Sequence, residues 1–300
     1  MPKIKLPKLV VILGPTASGK TALSLKLAKK FQGEIVSADS RAVYKKLDIG
    51  SAKPSKKERA GIPHHLIDIV SPNQTLTLFQ YKKLALAKIS DIACQKEVAF
   101  LVGGTALYIY AVIDNWLIPE VPPNKKLRAK LEKQTVKKLY GLLVKKDSEV
   151  KNFIDPQNKR RIIRALEVVA ATKKPFSQQR EKGPKLFDTL ILGVQKSPEE
   201  TRKAIAKRTQ QMLKAGLVTE VKNLLKKGYS PKSPALSGIH YKEIIDYLNK
   251  KTTLPEAIAL INKNDEQLVR RQMTWFKKDK RIKWVKSQRE AKKLMELFIK

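Results

Sequence analysis

Gly14-Pro15-Thr16-Ala17-Ser18-Gly19-Lys20-Thr21 gathers two glycines, three hydroxyls and a lysine directly after the apolar run Leu9 to Leu13. Glycines let the backbone bend so that its N–H groups point inward, and the lysine adds a point charge. Thr21 offers a hydroxyl to a magnesium ion. This is a phosphate-binding loop. Thr21 to Lys30 then alternates apolar and basic residues at helical spacing, so a helix N-terminus faces the same anion. The loop implies a bound diphosphate or polyphosphate and does not say which.

Other residues can act beside it. Asp39, about twenty residues beyond the loop, can take a proton from a nucleophile or bind magnesium, or it can cap the next turn. Thr105 follows Gly103-Gly104; its hydroxyl can bond a substrate or cap a helix. Arg208 lies among Arg202, Lys203 and Lys207, any of which can reach phosphate. Arg160, Arg161 and Arg164 share one helical arc, opposite Ile162, Ile163, Leu166, Val169 and Ala170. Arginines without paired acids read as a phosphate track. Gln267, Arg271, Thr274 and Lys278 form another stripe, beside Trp275 and Phe276. Polar groups next to aromatics suit an unstacked base, although Trp275 and Phe276 themselves read as core. The histidines, His64-His65 and the distant His240, do not have metal-ligand spacing.

The elements that must position these groups alternate strand and helix. Strands are expected at Leu9 to Leu13, Glu34 to Ala38 and Val98 to Val102, with helices at Thr21 to Phe31 and Leu76 to Cys94. That order makes a parallel sheet with crossover helices, which binds ligands beyond the carboxyl ends of its strands. The phosphate loop, Asp39 and Gly103 therefore converge on one rim, where Asp39 is the only carboxylate. The third strand ends in glycines and not in the acid of a Walker B strand, which argues against an ordinary ATPase or GTPase. Pro119, Pro122 and Pro123 open a basic, helical stretch, closed by Pro175 and Gly183-Pro184. Thr189 to Gln195 returns to the sheet, and Ser197-Pro198-Glu199-Glu200 caps a helix that runs to Gly216. The fold class is α/β, a P-loop NTPase-like parallel sheet core (residues 1–119 and 187–300, helical towards its end) with a helical insertion domain (residues 120–186).

Composition narrows the partners. The 300 residues carry 63 Lys and Arg against 27 Asp and Glu, a formal charge of +36. Such an excess invites a polyanion, usually nucleic acid; a lysine-rich bias over the whole surface is the alternative. Cys94 is the only cysteine, which excludes disulfides and fits a reducing cytoplasm. No apolar stretch reaches the length of a membrane span. Met1 to Leu13 has no small-residue cleavage site and reads as structure, not a signal peptide.

Together these residues resemble bacterial tRNA dimethylallyltransferases, also called isopentenyl-tRNA transferases. The resemblance rests on the phosphate loop, Ser37-Ala38-Asp39-Ser40-Arg41 with Val43-Tyr44, Asp48-Ile49-Gly50, His64-His65-Leu66-Ile67-Asp68 and Gly103-Gly104-Thr105 with Leu107-Tyr108. It continues through Arg164-Ala165-Leu166-Glu167, Tyr241-Lys242-Glu243 and Arg271-Gln272 with Thr274-Trp275-Phe276, in order over about nine tenths of the chain. The resemblance implies transfer of a dimethylallyl group from dimethylallyl diphosphate to N6 of the adenine on the 3′ side of a tRNA anticodon. It implies Asp39 as general base, Gly14 and Thr16 to Thr21 (Ala17, Ser18, Gly19 and Lys20 included) as the diphosphate cradle, magnesium at Thr21, and Arg208 on the diphosphate. Asp39, Ser40, Arg41, Ala42, Thr105, Arg128, Arg160, Arg161, Arg164, Gln267 and Arg271 would meet tRNA. A cytoplasmic monomer without a membrane partner is expected.

The chain departs from that pattern at several positions. Ala42 stands where glutamine is usual, Ala106 and His240 where glycine is usual, Asp265-Glu266 for a threonine and a basic residue, and Lys277 for arginine. Two rivals belong to other classes. A small-molecule kinase would leave the basic insertion unexplained, and a non-catalytic RNA-binding protein would leave the phosphate loop and Asp39 unexplained.

Overall fold

A computed structural model describes residues 6–179 and 181–300. Residues 1–5, the start of the stretch read above as structure and not a signal peptide, lie outside the described residues. The chain divides into two compact units, Met1–Ile113 with Leu186–Lys300, and Asp114–Lys185. The first runs β1 (Lys8–Leu13), α1 (Lys20–Lys30), β2 (Gly33–Ala38), α2 (Lys56–Arg59), β3 (His64–His65), α3 (Leu78–Cys94), β4 (Val98–Gly103) and α4 (Ala106–Ile113). The second holds α5 (Lys125–Glu132), α6 (Val136–Lys146), a 3-10 turn (Ser148–Asn152) and α7 (Lys159–Thr172). The chain then returns through β5 (Asp188–Val194), α8 (Pro198–Lys214), α9 (Leu217–Lys226), α10 (Tyr241–Leu248), α11 (Leu254–Phe276), β6 (Lys283–Val285) and α12 (Gln288–Ile299).

Six strands form one parallel sheet in the order β3-β2-β4-β1-β5-β6. Leu9 to Leu13 are fully buried, because helices cover both faces of a central parallel strand. One core gathers Val10, Ile12, Leu27, Ile35, Phe100 and Leu192 with Met295 of α12. The strands β3 and β6, of two and three residues, are sheet edges too short to leave a periodic signal. Register decides the rim. Leu13 and Ala38 both pair with Gly103, so the phosphate loop, Asp39 and Gly104-Thr105 leave the sheet side by side. A Cβ on Gly103 would lie 2.1 Å from the Ala38 carbonyl oxygen, so this close approach requires a bare backbone.

The smaller unit begins at Asp114, ahead of the proline cluster. There the Leu117 N–H donates to the Glu181 carbonyl and Trp116 bridges Lys182, so entry and exit strands pair with each other. Its three helices each start at a polar side chain that accepts an orphan amide: Asn124 from Leu127, Thr135 from Lys138, Asn158 from Arg161. Leu139, Leu143, Val150, Ile154, Ile162, Ile163 and Leu166 form its own core.

Candidate active site

The phosphate loop joins β1 to α1. A Cβ on Gly14 would lie 2.3 Å from the Val194 carbonyl oxygen at the end of β5, and Gly19 has φ +98°. The two glycines thus serve different needs, close approach and a left-handed turn. Lys20 opens α1 with Nζ 3.2 Å from the Pro15 carbonyl oxygen. Burial pushes its ammonium down to about 8; Asp39 opposes the shift and Arg208 adds to it. That is about 3 kcal/mol of disfavour for the charged form at neutral pH, which an anion in the loop offsets. Ser18 Oγ is buried without a hydrogen-bond partner among the described residues. Thr16 is already held: its N–H donates to Gln272 Oε1 at 2.9 Å, and its hydroxyl accepts from Arg208 Nη1. Gln272 Nε2 also donates to the Gly104 carbonyl at 2.8 Å. One α11 side chain therefore ties the phosphate loop to the end of β4. Gln272 was visible in the sequence only as part of a motif; nothing local marks its role.

Asp39 caps the turn and also lines the cavity. Oδ1 accepts from the Arg41 N–H at 2.7 Å and the Ala42 N–H at 3.3 Å, capping the turn. Oδ2 is left without a hydrogen bond among the described residues, on the wall of the cavity. Thr105 Oγ1 accepts from the Ser40 N–H at 3.1 Å, locking β4's end to β2's. The expectation for Arg41 needs correction in part. One of its amino groups is engaged by the carbonyls of Pro234 and Ala235, so it supports a loop over the site. Ala42 is buried.

Of the four basic residues clustered in the middle of α8, the structure selects Arg208. Arg202, Lys203 and Lys207 are exposed. Arg208 turns inward, with Nη2 2.6 Å from Asp265 Oδ2 on α11.

These groups line a cavity of about 660 Å³. Leu107, Leu268 and Trp275 supply an apolar side. Here the sequence expectation for α11 is corrected: only Phe276 is core, whereas Trp275 is 41% exposed and stacks on Tyr110 with centroids 6.0 Å apart. The cavity stripe on α11 is Leu268, Arg271, Gln272 and Trp275, while Gln267 is exposed and off the wall.

The arginine face of α7, a separate region, is also corrected. Glu167 is 1% exposed and takes Arg164 Nη1 at 2.6 Å and Arg128 through Nε at 2.8 Å and Nη2 at 2.7 Å. Burial pushes its carboxyl up, but hydrogen bonds from Arg128, Arg164 and the Asn124 N–H leave it below the usual range. Arg128 and Arg164 therefore pair with a buried acid, so the arginine arc is not free of acids, while both side chains stay partly exposed. Arg160 and Arg161 are exposed. The signal was present in sequence, since Glu167 follows Arg164 by three residues, a helical contact spacing.

Among the described residues, no group of three His, Cys, Asp or Glu side chains can hold a metal. Thr21 is exposed in the first turn of α1 and lines the same cavity as the acids Asp39 and Asp265. One hydroxyl does not hold a bare ion. It fits magnesium, which keeps waters and takes most of its remaining ligands from substrate phosphates. The histidines are engaged elsewhere: His64 Nδ1 with the Ile62 carbonyl, His65 Nε2 with Glu34, and His240 with Asp265.

Residues 42–279 match the family model described as IPP transferase. A tRNA dimethylallyltransferase of Roseiflexus sp. (strain RS-1) is 45% identical over 274 residues, 90% of each chain. The crystal structure of the full-length tRNA isopentenylpyrophosphate transferase of Bacillus halodurans superposes with TM-score 0.71 at 35% identity, covering 98% of this chain and 95% of that one. A eukaryotic dimethylallyltransferase acting on tRNA gives TM-score 0.78 at 30% identity, covering 89% of this chain and 69% of that one. The P-loop NTPase-like fold is shared with these structures, and the chain belongs to the tRNA dimethylallyltransferase (IPP transferase) family.

Proposed function

We propose that this chain transfers a dimethylallyl group from dimethylallyl diphosphate to N6 of the adenine 3′-adjacent to the anticodon of tRNA, releasing diphosphate. The observation that carries the reading is the pairing, on one rim, of a phosphate cradle with the open oxygen of Asp39, where β4 ends in glycines. A kinase or ATPase would need an acid there.

The residues then divide the work. The backbone of Gly14 to Gly19 with Lys20 and Arg208 holds the diphosphate and neutralises the charge that grows as it leaves. Asp39 Oδ2 receives the proton from N6 as nitrogen attacks the allylic carbon, while Oδ1 keeps the carboxylate in place through the turn. Leu107, Leu268 and Trp275 keep water from an electron-poor allyl group. Adenine enters unstacked, and Trp275 offers it or the prenyl chain a flat face. Thr21 would hold magnesium, which supplies further positive charge to the departing oxygens. Exposed Arg160 and Arg161 meet tRNA phosphates.

Mass spectrometry of tRNA nucleosides after incubation with dimethylallyl diphosphate and magnesium tests this. Prenylated adenosine should form with no nucleoside triphosphate consumed. Phosphoryl transfer from ATP without prenylation sinks the reading.

A further inference from the structure

His240 precedes α10 at φ +77°, a backbone conformation that favours glycine. It nevertheless carries a buried imidazole with two firm contacts. Nδ1 lies 2.7 Å from the Gly50 carbonyl oxygen, and Nε2 lies 3.0 Å from Asp265 Oδ2. Gly50 offers a carbonyl and Asp265 a carboxylate, so the ring lies between two acceptors. Its backbone N–H donates to Glu243 at 2.8 Å, and Asn264 of α11 holds the other oxygen of Glu243 at 2.7 Å. The ring is thus clamped between the loop after β2 and α11.

Asp265 Oδ2 is shared. It receives His240 and also Arg208 Nη2, while Arg208 Nη1 reaches the hydroxyl of Thr16 in the phosphate loop. Two atoms of this pair remain unused: among the described residues, Asp265 Oδ1 and Arg208 Nε are both buried without a hydrogen-bond partner. An arginine and a carboxylate this close ordinarily close a two-point fork. Here the fork is held open, and the departures from the family pattern at 240 and 265 meet in space.

We propose that His240 is a positioning residue: by binding one oxygen of Asp265 it keeps the Arg208–Asp265 pair single-armed, leaving Arg208 directed at the phosphate loop. Without His240, Arg208 is the side-chain partner left to Asp265 among the described residues. The carboxylate then rotates to pair Oδ1 with Nε, and the guanidinium turns away from Thr16. The proposal rests on the reading that Arg208 binds the donor's diphosphate.

The test uses the full chain, with magnesium and inorganic diphosphate as calorimetric probe and KM for dimethylallyl diphosphate and for tRNA measured separately. His240→Gly suits the backbone at φ +77°, so the fold should persist, checked by thermal melting. It should weaken diphosphate binding about tenfold and raise the donor KM alike, with the tRNA KM within twofold. In the double variant H240G/D265T no carboxylate remains to draw Arg208 away, and most of that loss should return. A donor KM unchanged in H240G, or a double variant as weak as H240G alone, overturns the proposal. Arg208→Gln separates the two layers. If it binds diphosphate as tightly as the parent, the donor-site reading of Arg208 fails and the positioning proposal with it. If it binds weakly while H240G binds normally, the positioning proposal alone fails.

Discussion

At the end of β1 one lysine sits beside the Pro15 carbonyl, with Arg208 and Asp39 near, and burial lowers its ammonium to about 8. On α7 three arginines stand on one arc, yet one of them is committed to Glu167 and the other two are exposed. Both regions are basic. In the first, burial makes each charge strong and position-dependent, because few water molecules compete. In the second, solvent weakens each charge, and only the sum over several phosphates gives affinity. A count of basic residues therefore misleads: it weighs Lys20, Arg164 and Arg160 equally, although they are a cation in the phosphate loop, a cation paired with a buried acid and an exposed surface charge.

The largest contrast is expected at Asp39. Asp39→Asn keeps an oxygen for the Arg41 and Ala42 N–H groups but loses the base, so turnover should fall about a hundredfold or more with the melting temperature nearly unchanged. Asp39→Ala removes both and should lose stability as well. Full turnover in the asparagine variant would leave only the capping role standing.

Lys20→Met should weaken donor binding about ten- to hundredfold, the worth of a charge-assisted contact. The ligand-free protein should melt higher, because an enclosed cation is gone. In the parent, Lys20 is charged in both folded and unfolded chains below about pH 8, and its full destabilising effect is present there. Between about 8 and its ordinary 10.5 the unfolded chain binds more protons, so this contribution to stability rises with pH. Donor affinity moves the opposite way, falling towards tenfold per unit above about pH 8, as binding must then take up a proton. A donor Kd flat from pH 7 to 9.5 would break the contrast between the two regions.

Glu167→Ala should destabilise the chain by about 2 kcal/mol, reduced from the cost of breaking a fully buried pair because Arg128 and Arg164 are partly exposed. Chemical denaturation measures it. The smallest effects belong to Arg160→Ala and Arg161→Ala. Each should lower the slope of log affinity for tRNA against log salt by about one, with stability intact. Arg164→Ala should do the reverse, costing stability and leaving the slope nearly unchanged. Three equal slopes would return all three arginines to a single track.

Much of this was legible before any coordinates. The strand–loop–helix unit stands where the sequence placed it, and so do β2, α3, β4, β5 and α8, because each has a continuous apolar run or a capped helical period. Asp39 was legible because parallel strands deliver their ends to one rim. Trp275 was misread because its neighbour Phe276 shares its chemistry and not its direction; adjacent residues on a helix point about 100° apart. Arg164 was misread although its acid was three residues away, because Glu167 sits among buried apolar residues where an acid is not looked for.

The sequence alone determined the phosphate loop, since its donors lie within eight consecutive residues and their geometry follows from local backbone. It also determined the two sides of α7, which helical period sets without any partner. Only the tertiary structure decided which of five basic residues on α8 faces inward, that Gln272 bridges two strand ends, and that His240 and Arg208 share one carboxylate oxygen of Asp265. Those groups are separated by between 25 and 256 residues of chain. No local pattern carries such a pairing, because it exists only once packing has covered the sheet and fixed the directions of α8, α10 and α11.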